Sequence, residues 1–297
     1  MMLSVVIPSY CAEKNLDPCL QSIDSQKDEN VEVIVVDCSP HDEVKSICEK
    51  YQFVTFIKSE VRFNPGEGRN IGAKASKGSH LIFIDADVVL EQNAIANIRR
   101  NITNGFNNFG GALELNRDIN NDFSANVEHF YFNHESQSTR KVKKRSNLSS
   151  AFMIFDKSVF LNYGGFKDIP RMQDTELTER LVSNGETLYL APDVIGYQIQ
   201  DSPLKKVLKK ISITGNNLYF IRYGNHSEKV LWKILMAMIL PLLMLAKVTR
   251  INVRQLKYAF SVPNLLIYSP FMYVCGFYWM LGFYRGLIVN DGIASGR

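Results

Sequence analysis

The stretch Leu81–Leu90, "LIFIDADVVL", decides how the chain folds. Its four apolar residues Leu81–Ile84 read as a buried strand. Two carboxylates then follow, Asp85 and Asp87, with only Ala86 between them. Alternate residues of a strand point the same way. Past the last ladder bonds, both acids can therefore face one site. Carboxylates this close repel unless a cation neutralises them. Oxygen ligands that leave room for water and phosphate suit Mg2+ or Mn2+. The competing reading is an exposed acidic turn, or a cap for a helix starting near Gln92. The D-x-D spacing alone is weak; its place after an apolar strand strengthens it.

Outward from this stretch the chain alternates. Strands are predicted at Leu3–Pro8, Glu32–Asp37, Val54–Lys58 and Leu81–Asp85. Helices are predicted at Asn15–Ser25, His41–Tyr51 and Ile71–Ser76. Continuous apolar strands alternating with helices imply an α/β fold whose mainly parallel sheet is covered on both faces. In such sheets ligands bind beyond the carboxyl ends of the strands. Pro8, Ser9 and Tyr10, then Asp37, then Asp85 and Asp87 lie at those ends and should share one crevice. In "NPGEGRNIGAKASKG" a glycine turn opens a helix, with Arg69 in the first turn. A helix start with a guanidinium can hold an anion or a planar base; a plain surface arginine is the bland reading. The glycines do not follow the first strand, so they are no dinucleotide fingerprint, and no phosphate-loop pattern G-x-x-x-x-G-K-[ST] is present.

Residues 101–150 look less regular. They contain the aromatic cluster "EHFYFNHE" and a basic run, Lys141–Arg145, read as an exposed loop. Ala151–Asp156 reads as a strand and "KSVFLNYGGF" as a short helix ending in a Gly-Gly turn. Asp174–Ser183 reads as a helix with Asp174 and Glu176 near its amino end. In "SPLKKVLKKIS" apolar and lysine faces separate, which suits a helix on an anionic bilayer or a solvated surface helix. Ile234–Ala246 and Ala259–Tyr284 carry no charge. The first is short for a span; the second is long enough but holds Pro263 and Pro270. A spanning hairpin would put Arg250, Arg254 and Lys257 on the far side, against the positive-inside tendency. Re-entrant or in-plane helices on the cytoplasmic face of the membrane are therefore expected.

The 297 residues are 46% hydrophobic, enough for one large domain or a domain with an appendage. A net charge of +4 is too mild to mark a nucleic-acid binder. Cys11, Cys19, Cys38, Cys48 and Cys275 include no C-x-x-C pair, which predicts free thiols in a reducing compartment and no zinc site. Met1 runs straight into a strand, so no secretory leader is expected. The N-x-[ST] triplets at Asn101, Asn147 and Asn225 are read as chance.

Five blocks occur in order: "SVVIPSYCAEKNLDPCLQSI", "VEVIVVDCS", "GEGRNIGAKASKGSHLIFIDADV", "YGGFKDIPRMQDTELTERLVSNG" and "LAPDV". Over roughly residues 3 to 225 the chain resembles the family 2 glycosyltransferases, which have the GT-A fold. The resemblance implies a nucleotide-sugar donor in the strand-end crevice. It implies donor contacts from Pro8, Ser9, Tyr10, Glu13, Asp37, Arg69 and Asp85. Asp87 would hold the metal on the diphosphate, with Asp85 near ribose or metal, and Asp174 would be the general base on the acceptor hydroxyl. Glu176 and Arg180 match the rest of that block. The chain departs from the family pattern at Cys38, at Gln173 in place of a Glu before the base, and at Gln198 and Gln200 where a His is common. The Q-x-x-R-W motif of processive synthases is absent, which favours transfer of a single sugar. The expectation is a GT-A domain over 1–225 and a membrane-associated helical segment over 226–297. The acceptor would be a lipid-linked saccharide, a polyprenyl phosphate or a surface polysaccharide. An inactive GT-A scaffold and a nucleotidyltransferase are the rival readings.

Overall fold

The structure is a computed structural model of the chain and describes residues 1–224, 230–259 and 261–289. The triplet at Asn225 and the expected domain boundary at 225–226 lie outside the described residues. In order the elements are β1 (Leu3–Ser9), α1 (Leu16–Asp24), β2 (Val31–Asp37), α2 (Glu43–Cys48), β3 (Val54–Lys58), α3 (Pro65–Ala75) and β4 (His80–Ile84). Next come β5 (Val88–Leu90), α4 (Ala94–Thr103), β6 (Phe109–Leu115), α5 (Phe123–Phe132), β7 (Lys143–Arg145), β8 (Phe152–Asp156) and α6 (Lys157–Asn162). The chain closes with α7 (Gln173–Ser183), β9 (Leu188–Gln198), α8 (Leu204–Tyr223), α9 (Val230–Tyr258) and α10 (Val262–Val289).

The strands form one sheet in the order β3-β2-β1-β4-β8-β6-β9-β5, with β7 also on β9. β1 to β4 run parallel, and β8 enters antiparallel to β4. Every residue of β1 and β4 is buried, as unbroken apolar runs require of strands covered on both faces. The register pairs Ser9 with Asp37 and Val6 with Phe83, so the ends of β1, β2 and β4 come out on one edge.

Three segments differ from the sequence reading. α3 starts at Pro65, not near Ile71, because Asn64 caps it by accepting from the Glu67 N–H at 3.0 Å and Pro65 fits the first turn. Arg69 is therefore in the second turn, and the glycines lie inside the helix. Gly72 is there for contact: a Cβ on it would stand 2.3 Å from Val6 Cγ1 on β1. Residues 101–150 are more regular than expected, since Phe109–Leu115 is a strand inside the sheet between β8 and β9. The basic run is no loop: Lys143–Arg145 pairs with Leu188–Leu190, where backbone bonding decides and the exposed lysine side chains do not interfere.

The chain divides into two compact units. One comprises Met1–Ile119, Arg140–Asp168 and Gln173–Ile199, and contains the sheet. The other comprises Asn120–Thr139, Ile169–Met172 and Gln200–Arg297, and is helical. In the helical unit α8 and α10 touch backbone to backbone: a Cβ on Gly282 would stand 1.7 Å from the Ser212 carbonyl oxygen. Close approach through small residues is how helices associate where no hydrophobic drive separates them from their surroundings. Val207 and Ile211 of α8 are fully buried in this unit's core, so the apolar face of that helix faces protein. Lys205, Lys206 and Lys209 are exposed, while Lys210 donates to Glu128 at 2.7 Å. α9 and α10 are each long and apolar enough to cross a membrane. Pro263 falls in the first turn of α10, where proline is tolerated; Pro241 and Pro270 lie inside their helices.

Gly72→Val should force α3 off β1 and cost about 1–3 kcal/mol, as overpacked cores do. Urea denaturation of the variant against the parent measures it, and an unchanged midpoint would contradict the contact.

Candidate active site

The two acids that open the sequence argument sit on the sheet edge where β4 ends. The Asp85 N–H donates to the Ala151 carbonyl at 3.1 Å, and the Ile199 N–H donates to the Asp87 carbonyl at 2.8 Å. The D-A-D turn is thus pinned by its backbone between the entry to β8 and the end of β9, leaving the carboxylates to other partners. Asp85 Oδ1 accepts from Arg69 Nη2. Gln198 Nε2 lies 3.5 Å from Asp87 Oδ1. Beneath the pair, burial and then the charges of Asp87 and Asp85 push the Cys19 thiol well above its ordinary value. The second cause places a concentrated negative potential at this strand end.

Arg69 is 2% exposed, an unusual state for a guanidinium. Its charge is matched by Asp85, and its Cζ lies 5.5 Å from the Phe166 ring centroid. Its Nε and Nη1 are buried without a hydrogen-bond partner. The next residue, Asn70, turns the other way. Its side chain donates to the Phe166 carbonyl at 2.7 Å and accepts from the Phe166 N–H at 2.9 Å. One dipeptide therefore ties the D-x-D turn to the Gly-Gly-Phe loop. That loop needs its glycines, since Gly164 and Gly165 have φ of +78° and +66°.

From the loop the bonds continue to α7. Arg180 donates to the carbonyls of Tyr163 and Gly165 and pairs with Glu176, which also binds Lys167 at 2.7 Å. Burial works against the Glu176 charge, but hydrogen bonds from Arg180 and Lys167 prevail and hold its carboxyl below the ordinary value. Glu176 and Arg180 thus brace the helix that carries Asp174. Asp174 Oδ2 accepts from the Ser150 N–H at 3.2 Å and Oδ1 from the Thr175 N–H at 2.8 Å. Ser150 is the neighbour of Ala151, which anchors Asp85. Two consecutive residues therefore bring Asp174 and Asp85 together through their backbone groups. Gln173, where the family pattern has Glu, is buried and donates to Asn64 Oδ1 at 3.3 Å, a neutral contact that needs no counter-ion.

The other expected residues lie at the ends of β1 and β2. Asp37 is fully buried; Oδ1 accepts from Ser39 Oγ at 2.6 Å, and Oδ2 from the Ser39 N–H and Lys58 Nζ, both at 3.1 Å. Its first task in this state is to shape the loop after β2, and Lys58 was not foreseen. Ser39 Oγ in turn accepts from the Cys11 N–H at 2.8 Å, which joins the two loops. Pro8 and Ser9 are buried at the end of β1. Tyr10 is 40% exposed, with the Arg62 guanidinium 4.1 Å from its ring centroid. Glu13 is exposed in the loop before α1. Cys38 turns into the core, its Sγ 3.8 Å from the Ser9 carbonyl, so the departure there does not alter the crevice wall. All five cysteines are free. The sequence reading missed Ser150, Lys58, Asn70 and Arg62; only Asn70 had a signal, its place beside Arg69.

Among the described residues no three His, Cys, Asp or Glu side chains gather into a metal cage. One or two carboxylates form the kind of site that completes its shell with substrate phosphates and water, so Asp87 and Asp85 fit Mg2+ or Mn2+ held jointly with a diphosphate.

The arrangement is that of the GT-A fold. The chain resembles a mannosyltransferase from Pyrobaculum calidifontis in complex with GDP-Man and Mn2+, with a TM-score of 0.64 and 14% identity, over 97% of this chain and 88% of that one. It also resembles Staphylococcus aureus TarS 1-349 in complex with UDP-GlcNAc, at 0.55 and 17%, over 96% and 92%. The family model Glycosyl transferase family 2 matches residues 4–164, and the chain belongs to that family. Among curated relatives it is 41% identical over 88 residues to an uncharacterized glycosyltransferase of Haemophilus influenzae, 29% of each chain. It is 24% identical over 168 residues to the Campylobacter jejuni GalNAc(5)-diNAcBac-PP-undecaprenol beta-1,3-glucosyltransferase, 54% of this chain and 53% of that one. The matches thus span about a third and about half of those relatives' lengths.

Two outcomes test the bracing. Asn70→Ala should lose about 1–3 kcal/mol, the cost of leaving the Phe166 backbone groups unpaired, read by thermal denaturation. The Glu176 contribution is complete above the ordinary carboxylate range. It falls away as the pH drops from the ordinary carboxylate range through the lower folded value, because over that span the unfolded state binds a proton that the paired carboxylate still refuses. Stability measured from pH 7 to pH 3 should fall less steeply in Glu176→Gln than in the parent.

Proposed function

We propose that this protein is a metal-dependent, inverting glycosyltransferase. It moves one sugar from a nucleoside-diphosphate sugar to an acceptor hydroxyl at the cytoplasmic face of a membrane. The observation that carries the reading is the Ser150–Ala151 link, by which Asp174 and Asp85 are held from adjacent backbone groups. A displacement needs both ends served at once: the leaving diphosphate on one side and the attacking hydroxyl on the other.

The residues divide that work. Tyr10 with Arg62 offers a flat face to the base, and the loops fixed by Asp37, Ser39 and Lys58 frame the ribose. Asp87, with Asp85 beside it, would hold a divalent cation, which would neutralise charge on the diphosphate. Asp85 is shared with Arg69, and Asp87 would be the first metal ligand. Asp174 accepts the proton as the acceptor oxygen attacks the anomeric carbon. The new C–O bond forms as the bond to the diphosphate breaks, and a single attack inverts that carbon. The backbone N–H groups of Ser150 and Thr175 fix the Asp174 carboxylate, which leaves its geometry ready before substrate arrives.

The acceptor reading rests on the helical unit and on one relative. α9 and α10 expose long apolar faces, and the Campylobacter jejuni relative bears the name of an enzyme acting on an undecaprenol-linked saccharide. These support an acceptor carried on a lipid: a lipid-linked saccharide, a polyprenyl phosphate or a growing surface polysaccharide. They also support a domain plan in which the sheet unit binds the donor and residues 226–297 associate with the membrane.

Purified protein incubated with a panel of nucleotide-sugars and Mn2+ should release nucleoside diphosphate. Release of pyrophosphate would indicate nucleotidyl transfer, and absence of donor binding would leave only a scaffold. Asp174→Asn should abolish turnover with donor binding retained. Asp87→Asn should abolish turnover and weaken metal-dependent donor binding about tenfold or more. Full activity in Asp174→Asn would refute the base assignment.

A further inference from the structure

Exposed apolar side chains run the length of α9 on one face. Leu231, Leu235, Met238, Leu242, Val253 and Leu256 are 49% to 81% exposed. They are three, four or eleven residues apart, close to one turn or three turns of a helix. α10 carries a stripe of the same kind: Leu266, Phe277, Leu281 and Ile288 are 45% to 74% exposed. The two helices are antiparallel neighbours. Tyr284 Oη donates to the Ala237 carbonyl at 2.7 Å, and a Cβ on Gly276 would stand 2.4 Å from Val248 Cγ2.

Behind the stripes the hairpin faces protein, and that side is polar in places. Asn252 and Gln255 are buried, and Gln255 donates to the Phe130 carbonyl of α5. Arg254 pairs with Glu135, and Gly282 of α10 meets the Ser212 backbone of α8. Lys247 also turns this way, its ammonium 4.7 Å from the Trp279 ring centroid.

Two lengths decide how such a hairpin meets a membrane. From Leu231 to Leu256 the α9 stripe climbs 25 residues, about 37 Å at 1.5 Å each. The hydrocarbon core of a bilayer is about 30 Å thick. The part of α9 without charge, residues 234–246, is only about 20 Å long. An upright α9 centred in the core would therefore carry Lys247 and the exposed Arg250 inside it, where charge is costly. A helix lying flat needs no such match. It sinks its apolar face about 5–10 Å and keeps its polar flank among the headgroups.

The charges are placed for the flat arrangement. Arg250 and Lys257 are exposed and fall about a quarter turn to the side of the α9 stripe, and Arg285 is exposed on the flank of the other. α8, α9 and α10 contain no Asp or Glu. The rims of both stripes are thus positive, which anionic headgroups complement. A second copy of the chain would bring the same cations and no acids to these rims.

We propose that α9 and α10 lie flat in one leaflet of an anionic bilayer, both stripes in the acyl boundary and Arg250, Lys257 and Arg285 among the headgroups, with neither helix crossing. This deepens the membrane association proposed above and rests on it.

The test adds the full chain to preformed vesicles of phosphatidylcholine with phosphatidylglycerol. Cys11→Ser first removes the one exposed thiol of the five. Leu231→Cys, Leu242→Cys and Leu256→Cys, each carrying an environment-sensitive fluorophore, are then quenched by lipids brominated at graded depths. The three should report one shallow depth. An impermeant maleimide should label Ala259→Cys, in the turn between the helices, as fast in intact vesicles as after detergent lysis. Arg250→Gln, Lys257→Gln and Arg285→Gln together should weaken binding about a hundredfold, at about fivefold for each cation near the surface. Vesicle binding with Leu242→Cys deep, the other two shallow and Ala259→Cys shielded until lysis would mean a spanning hairpin. That overturns this placement and leaves membrane association standing. Equal binding to vesicles of phosphatidylcholine alone, or by the triple variant, would overturn the part given to the cations. No binding to either vesicle, with a dimer in solution, would put a second copy on the stripes and refute membrane association as well. Nucleotide-sugar binding by the same samples tests the transferase reading separately.

Discussion

Two carboxylates at the edge of a hydrophobic core repel each other, and much of the sheet unit follows from how that repulsion is contained. Arg69 does it from α3, with its guanidinium buried and bonded to Asp85. Reaching that position requires α3 to lie closer to β1 than any side chain at Gly72 would permit. The glycines of this segment therefore serve an electrostatic end by steric means.

The same helix carries the constraint to the far side of the site. Asn70 grips the backbone of Phe166, the loop before it turns on two left-handed glycines, and Arg180 clasps the loop's carbonyls while pairing with Glu176. Asp174 projects from the first turn of the helix so braced. Residues that look like separate motifs along the chain are thus successive supports of one frame. This is why a change at Asn70 or Glu176 should be felt at Asp174.

The helical unit is built on other terms. Its helices meet through Gly215, Gly276 and Gly282, and its core combines apolar side chains with buried amides such as Gln255, which donates to the Phe130 carbonyl at 2.8 Å. The expected bilayer helix, α8, turned out to spend its apolar face on this core. The exposed apolar surface belongs to α9 and α10 instead. Amphipathic spacing tells which residues share a face, but not whether protein or lipid covers it.

The sequence by itself determined the parallel strands, and it singled out Asp85, Asp87, Asp174 and Arg69 as candidates. Each of these lies in a local pattern: an apolar run, a two-residue spacing, a helix start. What only the tertiary structure decided was partnership. Asp85 is committed to Arg69, Asp37 to Ser39 and Lys58, and Asp174 to Ser150, across separations of 16, 21 and 24 residues in the first, the Lys58 and the last case. β6 and β7 escaped notice for a related reason: one contains a Gly-Gly pair after a polar stretch and the other lies in a run of lysines, and both exist because a neighbouring strand supplies the backbone bonds. Local pattern fixes what a residue can offer; the folded backbone fixes which group is close enough to take it.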